Sequence, residues 1–464
     1  MSINSALLAG TSGLRANASA LAAISDNISN VNTVGYKRLR NDFTALLTQQ
    51  ATNTTHASSG VSVRAQALIG EQGALQASSV STHLSVAGDG FFVTRERAAD
   101  ANVSDPYLYT RAGQFAPDDG GYLRNAAGLY LYGWEVDSTG AVTANPSELT
   151  ALTPVRVSGI GGAAQATDRV SMSANLEASQ PISAAAATYN STAAGTNMAS
   201  GTVTPDFQTS VQVFDSLGGL RTLTYSFLKD ATDANTWNVE IHVTPETDVL
   251  TGAGLVNGQI AVGQVAFDQF GQFDAGSSTL PTTLSIGASP ATATTPGAGL
   301  ATWSNTLGVS SQTVTLDIGG TGVPGGLTQY DSPSALSTSQ VNGTAFGSLA
   351  AVDVDDQGFV VAQFTNGLSQ KIYQVPIATF ANEEGLISQE GGAYRSGPSA
   401  GALNLKESGI AGAGDIRARA LEASTVELAE EFSNLIVTQR AYSASSKIIT
   451  TADEMLDELI RLKR

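Results

Sequence analysis

The sequence predicts a multidomain α+β protein, with paired terminal helices forming a coiled-coil-like domain and two mainly β domains nested between them. Three observations carry that expectation. The chain has 464 residues, enough for two or three domains with real cores. Both ends carry apolar residues at alternating spacings of four and three. The stretch between them is made of short apolar runs broken by Gly, Asp and Asn, in a background rich in Gly, Ser, Thr and Ala.

At the N-terminus, Ile3, Leu7, Gly10, Leu14, Asn17, Leu21, Ile24 and Ile28 follow the four-three rhythm, and Leu7, Leu14, Leu21 and Ile28 fall seven apart. Roughly 28 helical residues would span about 42 Å. The C-terminus repeats the pattern with Leu428, Leu435, Tyr442, Ile449 and Leu456, and a companion row of Phe432, Gln439, Ser446, Asp453 and Ile460. Its helix is expected to start at Ala423–Thr425, with Ser424 capping and Glu427 completing a capping box. Arg461, Lys463 and Arg464 suit the negative end of its dipole.

An apolar stripe at helical spacing ordinarily packs within one domain. Here the stripes stand at opposite ends of the chain, and polar residues (Asn17, Gln439, Ser446, Asp453) interrupt them. Such residues weaken a seam while fixing its register. The helices are therefore expected to be weak alone, disordered in the isolated chain and firm in an assembly.

Between the helices, strands are expected in 84–96, 107–136, 209–230, 237–245 and 349–380, with 183–201 and 276–299 as low-complexity linkers or mobile loops. The layout this gives is nested. Residues 1–35 and 421–464 form the helical domain, 36–83 and 400–420 link it, 84–150 and 345–399 form a first β domain, and 151–344 form an inserted outer one. Glycines beside Gly35 and across 409–414 read as hinges.

Composition narrows the function. A net charge of −18 argues against nucleic acid, which needs clustered Lys and Arg. The absence of Cys excludes disulfides, thiol catalysis and Cys-based zinc sites. The first 25 residues lack the basic and unbroken apolar regions of a secretory signal, and no run suits membrane insertion. Asp353–Gly358 begins like an EF-hand loop, but the twelfth position is Phe364, so a hairpin turn is expected. Gly319–Gly322 lacks the Lys-Ser/Thr of a phosphate loop. His56, His83 and His242 share no metal-ligand spacing. No catalytic, cofactor or metal constellation emerges, and the expectation is a protein that is not an enzyme.

Two terminal stretches carry a family resemblance. Asn27-Ile28-Ser29-Asn30-Val31-Asn32-Thr33-Val34-Gly35-Tyr36-Lys37 resembles the signature of the bacterial flagellar rod and hook axial proteins, an Asn-rich turn after the first helix. Ala420–Leu428, with Phe432 and Val437–Tyr442 including Gln439 and Arg440, resembles the matching C-terminal signature, although Thr425-Val426-Glu427 stands where Asn-Val-Asp is usual. The resemblance extends over 84–134, 211–224 and 349–380 and is weakest over 183–201 and 252–343. Chain length and the turn in Val211–Leu220 favour the hook branch over a distal rod protein, with a secreted β-rich adhesin or fibre protein as a remoter alternative.

The resemblance implies a homopolymer that forms a curved hollow tube and acts as a universal joint transmitting torque. It implies rod, hook-cap and hook–filament junction proteins as partners, and delivery by the type III export apparatus to the cell exterior without a cleaved signal peptide. It places the polymer interface on the terminal helices.

Overall fold

The computed structural model describes residues 3–46, 60–98, 105–137, 139–321 and 325–462. Two helices, α1 (Ile3–Ser29) and α2 (Leu428–Leu462), flank a long succession of strands. Five strands lead inward from α1 and matter below: β1 (Leu39–Ala45), β2 (Val61–Ala67), β3 (Leu75–Ala77), β4 (Leu84–Ala87) and β5 (Phe91–Arg95). The chain divides into two compact units. The first comprises 1–160, 350–363 and 369–464, and the second 161–349 and 364–368.

In the first unit, β1 and β2 form an antiparallel hairpin against α1. The main sheet runs through Ser369–Gln374, Tyr130–Glu135, β5, Leu108–Thr110 and Ala393–Arg395. All five residues of β5 are buried, and their alternation divides them between two cores. Phe92 joins Leu84, Phe115, Leu131 and Ile377, while Phe91 and Val93 join Tyr109, Trp134 and Tyr394. A strand covered on both faces reads as a continuous apolar run, which is why FFV needs no polar alternates.

The expected strand–turn–strand at 84–96 is present, but its two strands do not pair with each other. β4 pairs with Asp415–Ala418 and β3 with Ala420–Glu422, so segments near the two ends of the chain are joined by ladders.

In the second unit, a five-stranded antiparallel sheet (Phe207–Phe214, Leu220–Lys229, Thr236–Thr244, Gln259–Phe267, Phe273–Asp274) shares one core with a mixed sheet around Arg169–Asn175. Trp237, Val239, Ile241 and Val243 alternate into that core with no exposed surface. The opposite face of the strand carries Asn238, Glu240 and His242, and Glu240 and His242 there are buried as well. The segment expected to be a mobile linker explains this. Residues 183–203 lie on that face, with Met198 and Val203 packed on Leu228. The buried Glu240 carboxylate accepts the Met198 and Ala199 N–H groups at 3.1 and 2.8 Å. Likewise 276–299 contains the strand Thr283–Gly287, whose Leu284 and Ile286 are core residues.

Other expectations meet a definite geometry. Asp353–Gly358 is a hairpin turn in which the Asp355 carboxylate accepts the Gln357 and Phe359 N–H groups. Gly409–Gly414 closes through Gly409 N–H to the Gly414 carbonyl at 3.0 Å, and Gly414 N–H bonds the Asp89 carbonyl at 2.8 Å, so this expected hinge is a pinned turn. His83 and His242 belong to different units, and His56 and Gly322 lie outside the described residues. Among the described residues no group of three or more His, Asp or Glu converges as a metal site, and no helix is long and apolar enough to cross a membrane.

Candidate functional site: where the two chain ends meet

The first helix ends at Ser29 in a turn that side chains reinforce. The Asn30 amide donates to the Asp26 carbonyl at 2.9 Å, and Thr33 Oγ1 donates to Asn30 Oδ1 at 3.1 Å. Asn27, fully buried, behaves like a piece of strand. Its Oδ1 accepts the Leu39 N–H and its Nδ2 donates to the Leu39 carbonyl, both at 2.9 Å, fastening the start of β1 to the end of α1. The Tyr36 hydroxyl donates to the same Oδ1 at 3.3 Å. Burial, with Asp26 and Glu431 adding to it, pushes the Tyr36 phenol up to about 12.

Gly35 is required where it stands. Its φ is +70°, and a Cβ there would sit 2.7 Å from the Arg111 carbonyl carbon. Its N–H donates to the Glu422 carbonyl at 2.8 Å. This glycine is a close-approach point and not the free hinge expected from sequence.

From Gly35 onward the N-terminal stretch bonds the C-terminal one. The Thr425 N–H reaches the Tyr36 carbonyl at 3.1 Å, and the Arg38 N–H reaches Thr425 Oγ1 at 2.9 Å. At the centre is Glu422, with no exposed surface. Its carboxylate lies 2.7 Å from the equally buried Lys37 Nζ and 3.3 Å from Arg111 Nη1, and it accepts the Gly73 N–H at 2.9 Å. Lys37 also donates to the Glu71 carbonyl. The Arg111 guanidinium lies 5.0 Å from the centre of the Phe91 ring. Burial pulls the Lys37 amine below the usual lysine range, opposed by Glu422 and assisted by Arg111. Nearby, burial pushes the Glu383 carboxyl up, against the pull of Arg111. One carboxylate thus ties together the N-terminal signature, the C-terminal signature and the β body.

At the rim, Arg38 pairs with Glu430 at 2.6 Å and lies 4.0 Å from Glu431 in the first turn of α2. Acidic residues there suit the positive end of the helix dipole. Burial raises the Glu431 carboxyl, while a hydrogen bond with Asn27 lowers it. The helix begins at Leu428, later than expected. Ser424 accepts the Val426 N–H at 3.3 Å in a local turn and does not cap α2.

The helices themselves run antiparallel. Gly10 packs on Ile449, Gly13 on Ser445, and Asn17 Nδ2 lies 3.5 Å from Ser445 Oγ. Asn27 and Glu431 lie together at the far end. Continued at heptad spacing from these contacts, the seam runs through Ala6, Gly10, Gly13, Asn17, Ala20, Ile24 and Asn27 on α1 and through Glu431, Leu435, Thr438, Tyr442, Ser445, Ile449, Ala452 and Leu456 on α2, with Ile448 also beside Gly10. Each helix keeps one expected row and moves the other by one residue. Ala6, Gly13, Ala20 and Asn27 replace Leu7, Leu14, Leu21 and Ile28, which lie half-buried on the flank. On α2, Glu431, Thr438, Ser445 and Ala452 replace the row of Phe432 and Ile460, which are 51% and 64% exposed. Small side chains at the contact let two helix axes approach closely.

Leu428 is exposed, as are Gln439 and Arg440, which take no part in the junction. Asn32 and Thr33 line a cleft of about 610 Å³ with Gln114, Gln389 and Gly391. Ile3 lies in α1, with its side chain outside the described residues. Sequence reasoning did not single out Glu422 or Arg111 as site residues. Nothing in Ala-Leu-Glu-Ala signals that its Glu is buried.

The chain is thus β-rich, with its two ends fastened together next to an antiparallel helix pair. Residues 7–37 match the flagella basal body rod protein family, 417–462 the C-terminal region of the flagellar basal body rod FlgEFG proteins, and 175–344 the flagellar basal body protein FlaE D2 domain. The chain is 37% identical to the flagellar hook protein FlgE of Caulobacter vibrioides over the full length of both. It is 32% identical to that of Treponema pallidum over 99% of both, and 30% identical to that of Rhizobium meliloti over the full length of both. The chain belongs to the flagellar hook protein family.

Proposed function

We propose that the chain is the structural subunit of a flagellar hook, polymerising into a curved hollow tube that acts as a universal joint between motor and filament. The observation that carries this reading is full-length similarity to hook proteins in a chain whose two terminal signatures close on each other around Glu422. The antiparallel α1–α2 contact is read as a short coiled-coil-like stalk. Its flanking rows, which include Leu7, Leu14, Leu21, Ile28, Phe432 and Ile460, supply the polymer interface.

The layout is a helical stalk, a first β domain and an inserted outer β domain. Partners are further copies of the chain, then rod, hook-cap and junction proteins, after type III export to the cell exterior without a cleaved signal peptide. Supplying the chain to a strain that lacks its own hook subunit tests the reading. Curved hooks bearing filaments are expected. Flagella that stop at the rod would refute it, and straight rod extensions would favour a distal rod protein.

A further inference from the structure

The polymer reading leaves open which surfaces of the helix pair meet, and the geometry of α1 and α2 supplies an answer. With the seam fixed by the Gly10–Ile449, Gly13–Ser445 and Asn17–Ser445 contacts placed at heptad positions a and d, Leu7, Leu14 and Leu21 fall at e of α1, and Ala441, Ile448 and Met455 fall at g of α2. Both rows sit about 80° from their own seam, at roughly 100° per residue, but in opposite senses. In an antiparallel pair e faces e and g faces g. The e row of α1 and the g row of α2 therefore lie on opposite sides of the stalk and cannot meet within one chain.

Both sides carry apolar residues that are incompletely covered, the e side beside Gln439, Ser446 and Asp453 of α2 and the g side beside Lys447. On the e side, Leu7, Leu14 and Leu21 are half-buried and Phe432 is 51% exposed. On the g side, the β1–β2 hairpin covers Ala16 and Ala23 of α1, while Ile448 and Met455 of α2 remain 48% and 54% exposed. These two line an open groove with Ala6, Ala444 and Thr451. The rows match in length, because each repeats every seven residues over about 21 Å.

We infer that the e side of one copy docks on the g-side groove of a second copy, leucines of α1 against Ile448 and Met455 of α2. A second copy is the fitting occupant because each copy offers both halves, on opposite sides. A contact of that kind is head-to-tail, so it propagates and does not close as a two-fold dimer. The inference rests on the polymer reading and specifies its interface.

The chain has no Cys, which makes the test clean. Leu7→Cys, Leu14→Cys and Leu21→Cys chains are each mixed with Ala444→Cys, Ile448→Cys or Met455→Cys chains, assembled, and oxidised. Disulfide-linked dimers are expected in at least one mixed pair and in neither of its single-site samples. A chain carrying both sites of that pair should give a ladder of multimers.

Like-with-like dimers, cross-linked monomers, or tubes formed without any mixed cross-link would overturn the inference while leaving the polymer reading intact. Failure of the parent chain to form tubes would sink both. A second variant, Met455→Lys, is expected to abolish tube formation with the helix content and melting of the monomer unchanged, since Met455 is 54% exposed. Normal tubes from that variant would also overturn the docking.

Discussion

Replacing Glu422 by Ala removes the one carboxylate shared by two buried cations. Lys37 and Glu422 have no exposed side-chain surface and Arg111 has 1%, so solvent cannot screen the loss. Breaking a buried ion pair by deleting one partner costs about 3–5 kcal/mol. The Gly73 N–H also loses its acceptor. Lys37 can relieve part of the penalty by releasing its proton, since burial already favours its neutral form, but Arg111 cannot.

With a slope of about 2 kcal/mol per molar urea, the unfolding midpoint of the first unit should fall by roughly 1.5–2.5 M. Hydrogen exchange read separately over 84–95 and 237–243 distinguishes the units, and protection in the second unit should be unchanged. A triple variant, Lys37→Met, Arg111→Met and Glu422→Leu, should recover most of the loss, because apolar replacements remove the stranded charges. A Glu422→Ala penalty below about 1 kcal/mol, typical of exposed pairs, would show that this buried carboxylate does not hold the junction.

Three further outcomes are expected. Gly35→Ala should weaken the junction by more than the roughly 1–2 kcal/mol of a left-handed backbone, given the 2.7 Å approach to Arg111, measured by the same urea unfolding. Glu240→Ala should release 183–203 while the second unit stays folded, seen as faster exchange at Met198 and Ala199; unchanged exchange there would refute the role given to Glu240. The third outcome is alkaline destabilisation. Burial pushes the Tyr109 phenol up to about 12, so above pH 10 the unfolded chain loses this proton first and stability falls, by about 2–3 kcal/mol at pH 12. Lys37, whose folded value is lowered, works in the opposite sense below its usual pKa. Tyr109→Phe should lessen the decline between pH 9 and 11, the raised phenols of Tyr36, Tyr225 and Tyr394 accounting for the rest, and an unchanged profile would contradict the assignment.

The terminal helices, the β character of the middle and the Asn-rich turn were legible because each rests on local signals: period, turn residues and helix stops. What was not legible depended on partners distant in sequence. A reading that ranks Leu above Ala puts Leu7, Leu14 and Leu21 in the seam, whereas an antiparallel pair in close contact selects Ala6, Gly13 and Ala20 and sends the leucines to the flank. Low complexity suggested mobility for 183–201, yet the segment is held by Glu240, a residue on another strand. The pairing of β4 with Asp415–Ala418 and the charges meeting at Glu422 join segments more than 300 residues apart.

Helical reconstruction of the assembled polymer by electron cryomicroscopy would show directly where the helix pair and the Glu422 junction lie. The expected result is α1 and α2 innermost around a central channel, with Leu14 of one copy against the Ile448–Met455 groove of a neighbour and the Glu422 junction intact in every subunit. Helix pairs on the outside of the tube, or terminal segments separated from each other at Glu422, would contradict it.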